Sequence, residues 1–126
     1  MAHKVPDLRG TWIPAEGAHI VEGPTRHRES GTEPLPGNAN LHRHTSNFVF
    51  HIEGQDGRTF WGHFSSAKVS EKLIGALSVD CKRFVMVDDD GTFNGTVVDH
   101  DTLDYSYTHV TPTDRAVAFG LLIRQK

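Results

Sequence analysis

One stretch of the sequence decides the fold: NFVFHIEGQDGRTFWGHFS, residues 47–65. Residues 47–53 and 59–65 each alternate apolar and polar side chains with a period of two, which is the pattern of a strand with one buried face. Between these runs lies GQDG, residues 54–57, whose Asp-Gly pair supplies the positive φ and the local hydrogen bonds of a tight turn. The stretch therefore predicts a β-hairpin that carries phenylalanines on one face.

The same pattern, a short alternating run followed by a turn signal, repeats to the end of the chain. Short strands at such regular spacing are typical of an all-β sandwich or barrel. Glycines at positions 62, 75 and 95 favour a barrel, because glycine inside a strand permits a sharp bend. We therefore predict an all-β fold: a single closed antiparallel up-and-down β-barrel of about eight strands, with little helix. Beyond the first hairpin, the predicted strands are residues 72–79, 83–88, 92–98, 103–109 and 117–124.

The first strand is predicted within residues 8–21, where PAEG at residues 14–17 interrupts the run. If residues 8–21 form one strand, the last strand can close antiparallel against it, and the sheet has no open edge. If they form a hairpin instead, the count becomes nine and closure requires a parallel pair. We prefer eight strands.

Residues 23–40 contain three prolines and three glycines and show no periodicity. A segment of this length without regular structure is usually either a functional loop or a disordered one. We interpret it as a lid between the first and second main strands, across the upper end of the barrel. The whole chain, residues 1–126, is predicted to form one domain.

Composition and motifs exclude several classes of function. A formal net charge of -3 provides no field that attracts nucleic acid, and the single Cys81 excludes an internal disulfide. The sequence has neither an apolar run near the length of a membrane span nor the apolar region of a signal peptide, so a cytoplasmic location is expected. Serine-nucleophile, phosphate-loop and dinucleotide motifs are absent. No cofactor is expected.

The alternation also predicts which side chains face the barrel axis. Nearly all of them are aromatic or otherwise large and apolar, as in the wall of a ligand site. A shift by one residue would turn the whole set toward water, so the register is well specified. The predicted ligand-binding residues are Phe48, Phe50, Phe60, Phe64, Phe84, Met86, Phe93, Tyr105, Tyr107, His109 and Phe119.

The first and last strands of the predicted barrel, together with the hairpin, carry a family resemblance. Gly10-Thr11-Trp12 opens the first strand, Arg124 closes the last, and residues 55–66 look like an avidin-type hairpin. This arrangement resembles the calycin group, the lipocalins and avidins, in which G-x-W opens the barrel. In lipocalins an arginine near the last strand packs across that tryptophan. The resemblance implies a closed cup for a small, largely apolar molecule.

Biotin is not the expected ligand. The avidin site uses several tryptophans, whereas this chain has only Trp12 and Trp61. The parity of the second strand of the hairpin places Trp61 on the outward face.

Three polar residues share the inward parity at the upper ends of their strands: Asp88, Tyr107 and His109. A carboxylate, a phenol and an imidazole at one mouth could orient a polar group of a ligand or exchange protons with it. They are the candidate catalytic residues if the protein is an enzyme. The alternative is structural, because Asp88 begins a turn at residues 88–91 and His109 ends a strand.

Two histidine patterns suggest other roles. His42 and His44 stand at i and i+2 and, with His51, could share a metal. Because the glutamate and the second histidine motif of a cupin-type site are missing, no metal site is predicted. His51 and His63 lie on the outward face near Trp61, in a half-apolar patch that predicts a homodimer surface, the alternative being isolated exposed side chains. The patch is completed by Ile74, Val85, Val87 and Leu122.

Three functions remain open from the sequence. The first is a barrel that binds a small apolar or amphipathic molecule. The second is a cofactor-free enzyme of isomerase, cyclase or hydratase type that uses Asp88, Tyr107 and His109. The third is a structural or interaction module whose barrel is filled by its own side chains, since eight strands enclose a space that side chains can fill.

Overall fold

The computed structural model describes residues 4–24, 32–44, 48–66 and 69–126. These residues form ten strands and no helix, so no helix in the described part of the chain has the length and apolarity needed to cross a membrane. The strands are β1 (Gly10–Glu22), β2 (Thr32–Leu35), β3 (Asn38–His44), β4 (Val49–Asp56), β5 (Thr59–Ser65), β6 (Ser70–Leu77), β7 (Arg83–Val87), β8 (Thr92–Asp99), β9 (Thr102–Val110) and β10 (Arg115–Arg124).

Strands β4 to β10 follow one another as antiparallel neighbours, and β1 lies between β4 and β10. The pairing of β10 with β1 closes the sheet into an eight-stranded antiparallel barrel, which confirms the predicted fold class. The hairpin of β2 and β3 lies outside this barrel. Strand β5 has the predicted bounds, and the other barrel strands after it differ from prediction by at most two residues at either end.

The first strand is continuous, so the eight-strand alternative is the one observed. The interruption at residues 14–17 is a β-bulge rather than a turn: Ala15 pairs with Leu121 and Ala18 pairs with Phe119, so β1 carries one residue more than β10. Glu16 adopts a positive φ of 52° within it. A bulge reverses the side-chain parity of the strand beyond it.

Residues 23–40 are more regular than the sequence suggests. Their second half forms β2 and the start of β3, and β3 pairs with the upper end of β1 at residues 20–22. The expectation that this segment is irregular is therefore wrong for residues 32–40. Residues 25–31 lie outside the described part of the chain, and the role of the segment as a lid stays a prediction.

The barrel interior is built from the residues that the alternation selected in β4 to β9. A one-residue shift is excluded by tight approaches between strands: a Cβ on Gly62 would collide with the carbonyl oxygen of His51, and one on Gly95 with that of Asp104. The buried core includes Phe48, Phe50, Ile52, Phe60, Phe64, Leu73, Leu77, Phe84, Met86, Phe93, Leu103, Tyr105 and Tyr107.

The predicted parity of the last strand is wrong. Tyr105 and Tyr107 face inward, and their partners on β10 are Gly120 and Ala118, so these two small residues face inward and Phe119 between them faces outward. Phe119 is 69% exposed and is not part of the inner wall. Leu122, assigned to the outer patch, is buried instead. Because all eight residues of AVAFGLLI, 116–123, are apolar, this run contains no polar position from which parity could be read.

The lower end of the barrel is sealed by the first residues of the chain. The Trp12 ring is fully buried, its Nε1 donates to the Leu8 carbonyl at 2.9 Å, and the Arg124 guanidinium lies 4.4 Å from the ring centroid. The same guanidinium donates to the carbonyl oxygens of Asp7 and His100. The cation–π contact that the calycin resemblance implies is therefore present.

Candidate functional site

An apolar cleft opens at the upper end of the barrel. Its cavity volume is about 30 Å³. That is space for about two waters, so the cleft is narrow. Its walls are His19, Val21, Phe48, Phe50, Phe64, Phe93, Tyr105, Tyr107, Ala116, Val117 and Ala118.

The space exists because β10 presents small side chains to the barrel axis. Ala118 lies between His19 of β1 and Tyr107 of β9 in the sheet, and Ala116 lies between Val21 and His109. Larger side chains at these two positions would fill the gap between the neighbouring rings. The cleft is therefore open because the alanines of β10 face the barrel axis, in contrast to the predicted parity of this strand.

The bulge in β1 brings a polar side chain into this apolar wall. Below the bulge, Trp12 shows that the even-numbered residues of β1 face inward. Above the bulge, the extra residue has shifted the alternation by one, so the odd-numbered His19 and Val21 face inward. If the same residues continued as a regular strand without the bulge, Ile20 would face inward instead of His19. His19 Nε2 lies 3.4 Å from the hydroxyl of Tyr105, which also lines the cleft.

Sequence reasoning did not select His19. The available signal was Glu16-Gly17 inside an otherwise regular run, because a short break of this kind can mark a bulge as well as a turn. Tyr105 was selected, and its hydroxyl meets His19 close to Gly120, where a Cβ would lie 3.1 Å from the phenol oxygen.

The predicted ligand wall divides into two groups by height. Six of its members line the upper cleft, whereas Phe60, Phe84 and Met86 pack lower in the solid core. A Cβ on Gly75 would collide with the Phe60 ring, which shows how completely this lower region is filled. The six upper members are Phe48, Phe50, Phe64, Phe93, Tyr105 and Tyr107.

His109 is held between two loops at the upper rim. Nδ1 donates to the Asp90 carbonyl at 2.7 Å, and Nε2 donates to the Asp114 carboxylate. Burial disfavours the charged imidazole, but the bond to Asp90 and the carboxylate of Asp114 outweigh it and raise the pKa of His109. The bond to His109 in turn lowers the pKa of Asp114. A histidine that donates from both ring nitrogens is an imidazolium. His109 in this form connects the turn between β7 and β8 to the turn between β9 and β10.

Asp90 also connects the other two candidate catalytic residues. The Tyr107 hydroxyl donates to Asp90 Oδ1 at 3.2 Å, while the Tyr107 ring lines the cleft. Asp88 Oδ1 accepts from the backbone nitrogens of Asp90 and Gly91 and so holds the turn, as the structural alternative proposed. Its Oδ2 is buried without a hydrogen-bond partner, and burial raises the pKa of Asp88. Of the three residues, only Tyr107 lines the cleft, and the catalytic role of the group stays a prediction.

Three carboxylates at this rim could hold a cation. One oxygen each from Glu71, Asp88 and Asp90 lies within 4.8 Å of the others, and oxygen ligands of this kind suit Ca²⁺ or Mg²⁺. Sequence reasoning missed Glu71, whose side chain is buried in β6 although its neighbours in the chain are exposed. Glu71 occupies an inward-facing position in the alternation of β6. A carboxylate at an inward-facing position was the signal in the sequence that could have identified it.

Two of the histidines weighed as metal ligands contact other groups. His42 Nδ1 meets the hydroxyl of Thr32 at 3.1 Å, and His51 pairs with Thr11 and stacks on His63 at 4.8 Å between centroids. The side chain of His44 lies outside the described part of the structure.

An apolar patch crosses the outer face of β5, β6 and β7. Trp61 pairs with Ile74, which pairs with Val87, and Val85 lies beside them. All four are exposed, Trp61 by 46% as its outward parity predicted. That a second copy covers this patch stays a prediction.

Comparison with known proteins adds no relative. No protein-family model, no curated protein and no solved structure matches this chain.

Proposed function

We propose that this barrel binds a small, largely apolar molecule in the upper cleft, as a lipocalin- or avidin-like cup does. The proposal rests on one observation, the contrast between the lower and the upper half of the barrel interior. The lower half is filled by its own side chains, whereas alanines in β10 leave a gap between aromatic rings in the upper half. Apolar walls of this kind supply most of the affinity for a small ligand.

The width of the cleft limits the size of the ligand. Drug-sized ligands occupy pockets of about 300–1,000 Å³, whereas the cavity here has a volume of about 30 Å³. The proposed ligand is therefore a thin molecule, such as one carrying a single aromatic ring or a short alkyl chain. The Phe93 ring contacts the rings of Phe50 and Tyr107, so the ligand enters as these rings move apart.

The geometry supports binding above catalysis. His109 acts as a general base only if one of its ring nitrogens can reach the substrate. Both nitrogens of His109 already donate, to Asp90 and to Asp114, and both partners belong to the rim. Asp88, the other candidate base, does not line the cleft.

The test fills the cleft by one substitution. Ala118→Leu places a larger side chain between His19 and Tyr107, whereas the matched control Phe119→Leu changes the adjacent outward position of the same strand. Native mass spectrometry of freshly purified protein detects a co-purifying molecule, and ¹⁹F NMR titration with 1-fluoro-4-isopropylbenzene measures affinity directly. We expect Ala118→Leu to weaken binding at least about tenfold, since about 1.4 kcal/mol of lost contact is enough, and Phe119→Leu to leave it unchanged.

A filled barrel gives a different result. If the wild-type protein retains no small molecule and binds none of a panel of single-ring compounds, the interior serves only as a core. Equal weakening by both variants would also contradict the proposal, because it would place the binding site on the outer surface.

A further inference from the structure

The cleft has one polar end within a wall that is otherwise apolar. The Tyr105 hydroxyl and the His19 imidazole face each other at 3.4 Å, which is long for a hydrogen bond between an O–H group and a ring nitrogen. A ligand atom at this end can therefore compete for the phenol proton. The pair exists only because the β1 bulge turns His19 inward.

The phenol is a neutral donor in all ordinary conditions. Burial raises the pKa of Tyr105 to about 12. A group that donates and carries no charge matches a hydrogen-bond acceptor on the ligand, such as a carbonyl oxygen.

The charges around the cleft disfavour an anionic ligand. The carboxylates of Glu71, Asp88 and Asp90 cluster at the same end of the barrel, and Asp90 binds the hydroxyl of Tyr107, whose ring lines the cleft. Negative charge at the same end of the barrel repels an anion. A carboxylate ligand would also lose its hydration in an apolar wall.

From this arrangement we infer the ligand class: an uncharged, single-ring or short-chain compound with one carbonyl-type acceptor, such as a ketone or an ester, whose oxygen accepts from Tyr105 while its apolar part lies among the phenylalanines. The inference rests on the proposed binding function and adds the polar group of the ligand to it. His19 orients the phenol and is a positioning residue.

The test compares two probes of matched shape. 4′-Fluoroacetophenone and 1-fluoro-4-isopropylbenzene differ in one position, a carbonyl oxygen in place of a methyl group, and ¹⁹F NMR titration measures both. Tyr105→Phe removes only the hydroxyl. The matched control, Thr108→Val, removes an exposed hydroxyl from the outer face of the same strand.

We expect Tyr105→Phe to weaken the ketone about 2- to 12-fold, the range of one net hydrogen bond. The hydrocarbon should change less than about twofold, and Thr108→Val should change neither probe. Equal effects of Tyr105→Phe on both probes would overturn the inference while leaving the binding function intact. Failure of the wild-type protein to bind either probe would overturn the proposed function itself.

Two measurements on the wild-type protein need no variant and decide the question if Tyr105→Phe fails to fold. The carbonyl stretching frequency of bound 4′-fluoroacetophenone should fall relative to its value in hexane, because a donated hydrogen bond weakens the C=O bond, and an unshifted band overturns the inference. 4-Fluorobenzoate should bind less tightly than the ketone at pH 7. Tighter binding of the benzoate would assign an anionic ligand and overturn the uncharged class.

Discussion

The two ends of this barrel are closed in opposite ways. At the lower end a buried tryptophan, a leucine and one arginine form a plug, and the donors of Arg124 meet backbone carbonyl oxygens and the carboxylate of Asp101. At the upper end a cleft remains open beside a cluster of titratable side chains that includes Asp90, His109 and Asp114. The plug serves stability, whereas the upper end keeps partly paired polar groups and empty space, which stability alone does not favour.

The largest effect should come from the plug. Trp12→Ala removes a fully buried ring and should lower the free energy of unfolding by about 3–5 kcal/mol. Urea denaturation followed by circular dichroism measures the change. The control is Trp61→Ala at the exposed outer face, where we expect a much smaller loss. Similar losses for the two variants would mean that the lower plug is not what holds the barrel closed.

An intermediate, pH-dependent effect is expected at the upper rim. Because the pKa of His109 is raised in the folded protein, its ionisation adds to the free energy of unfolding. This contribution is fully present below the unfolded-state pKa of 6.5 and is lost as the pH rises through the folded-state pKa. The lowered pKa of Asp114 means that its contribution is present above 3.8 and is lost on acidification. His109→Gln should therefore cost about 1–3 kcal/mol near pH 5.5 and less at pH 9.

Urea denaturation at the two pH values measures this difference, with His100→Gln in an exposed turn as the control. A cost that is the same at both pH values would show that His109 contributes only by packing, and the upper end would then resemble the lower one.

The smallest effect concerns Asp88. Burial raises the pKa of its carboxyl, so the unfolded chain loses the proton first, and stability falls as the pH rises from about 4 through the folded-state pKa. Asp88→Asn keeps an oxygen for the backbone nitrogens of Asp90 and Gly91 and removes the charge. We expect the variant to lie within about 1 kcal/mol of the wild type at pH 7 and to show a shallower decline with pH. A steeper decline would mean that the ionised carboxylate stabilises the rim.

Much of this fold could be predicted because β4 to β9 alternate cleanly. Polar residues such as His51 and Asn94 mark the outward positions, and the aromatic residues between them define the inner face. Closure followed from parity, since an even number of antiparallel strands returns the last one beside the first.

The unpredicted parts have specific physical causes. Residues 116–123 are apolar at every position, so only the pairing with Tyr105 and Tyr107 decides that the alanines face inward. Residues 32–44 contain two prolines and one glycine that indicate a loop, yet they form a hairpin that pairs with β1. Of the site, the aromatic wall was accessible from the sequence and His19 was not, because a bulge depends on the partner strand as well as on its own residues.

The bulge at Glu16 has a consequence for how this site can diverge. The extra residue takes up the offset between the two halves of β1, so the positions above it keep their partners on β10. Loss of Glu16 or Gly17 would leave Ala15 and Ala18 as far apart as their partners Leu121 and Phe119, and His19 would still lie opposite Ala118 at the cleft. Related chains can therefore gain or lose the bulge without exchanging the side chain that β1 presents to the cleft.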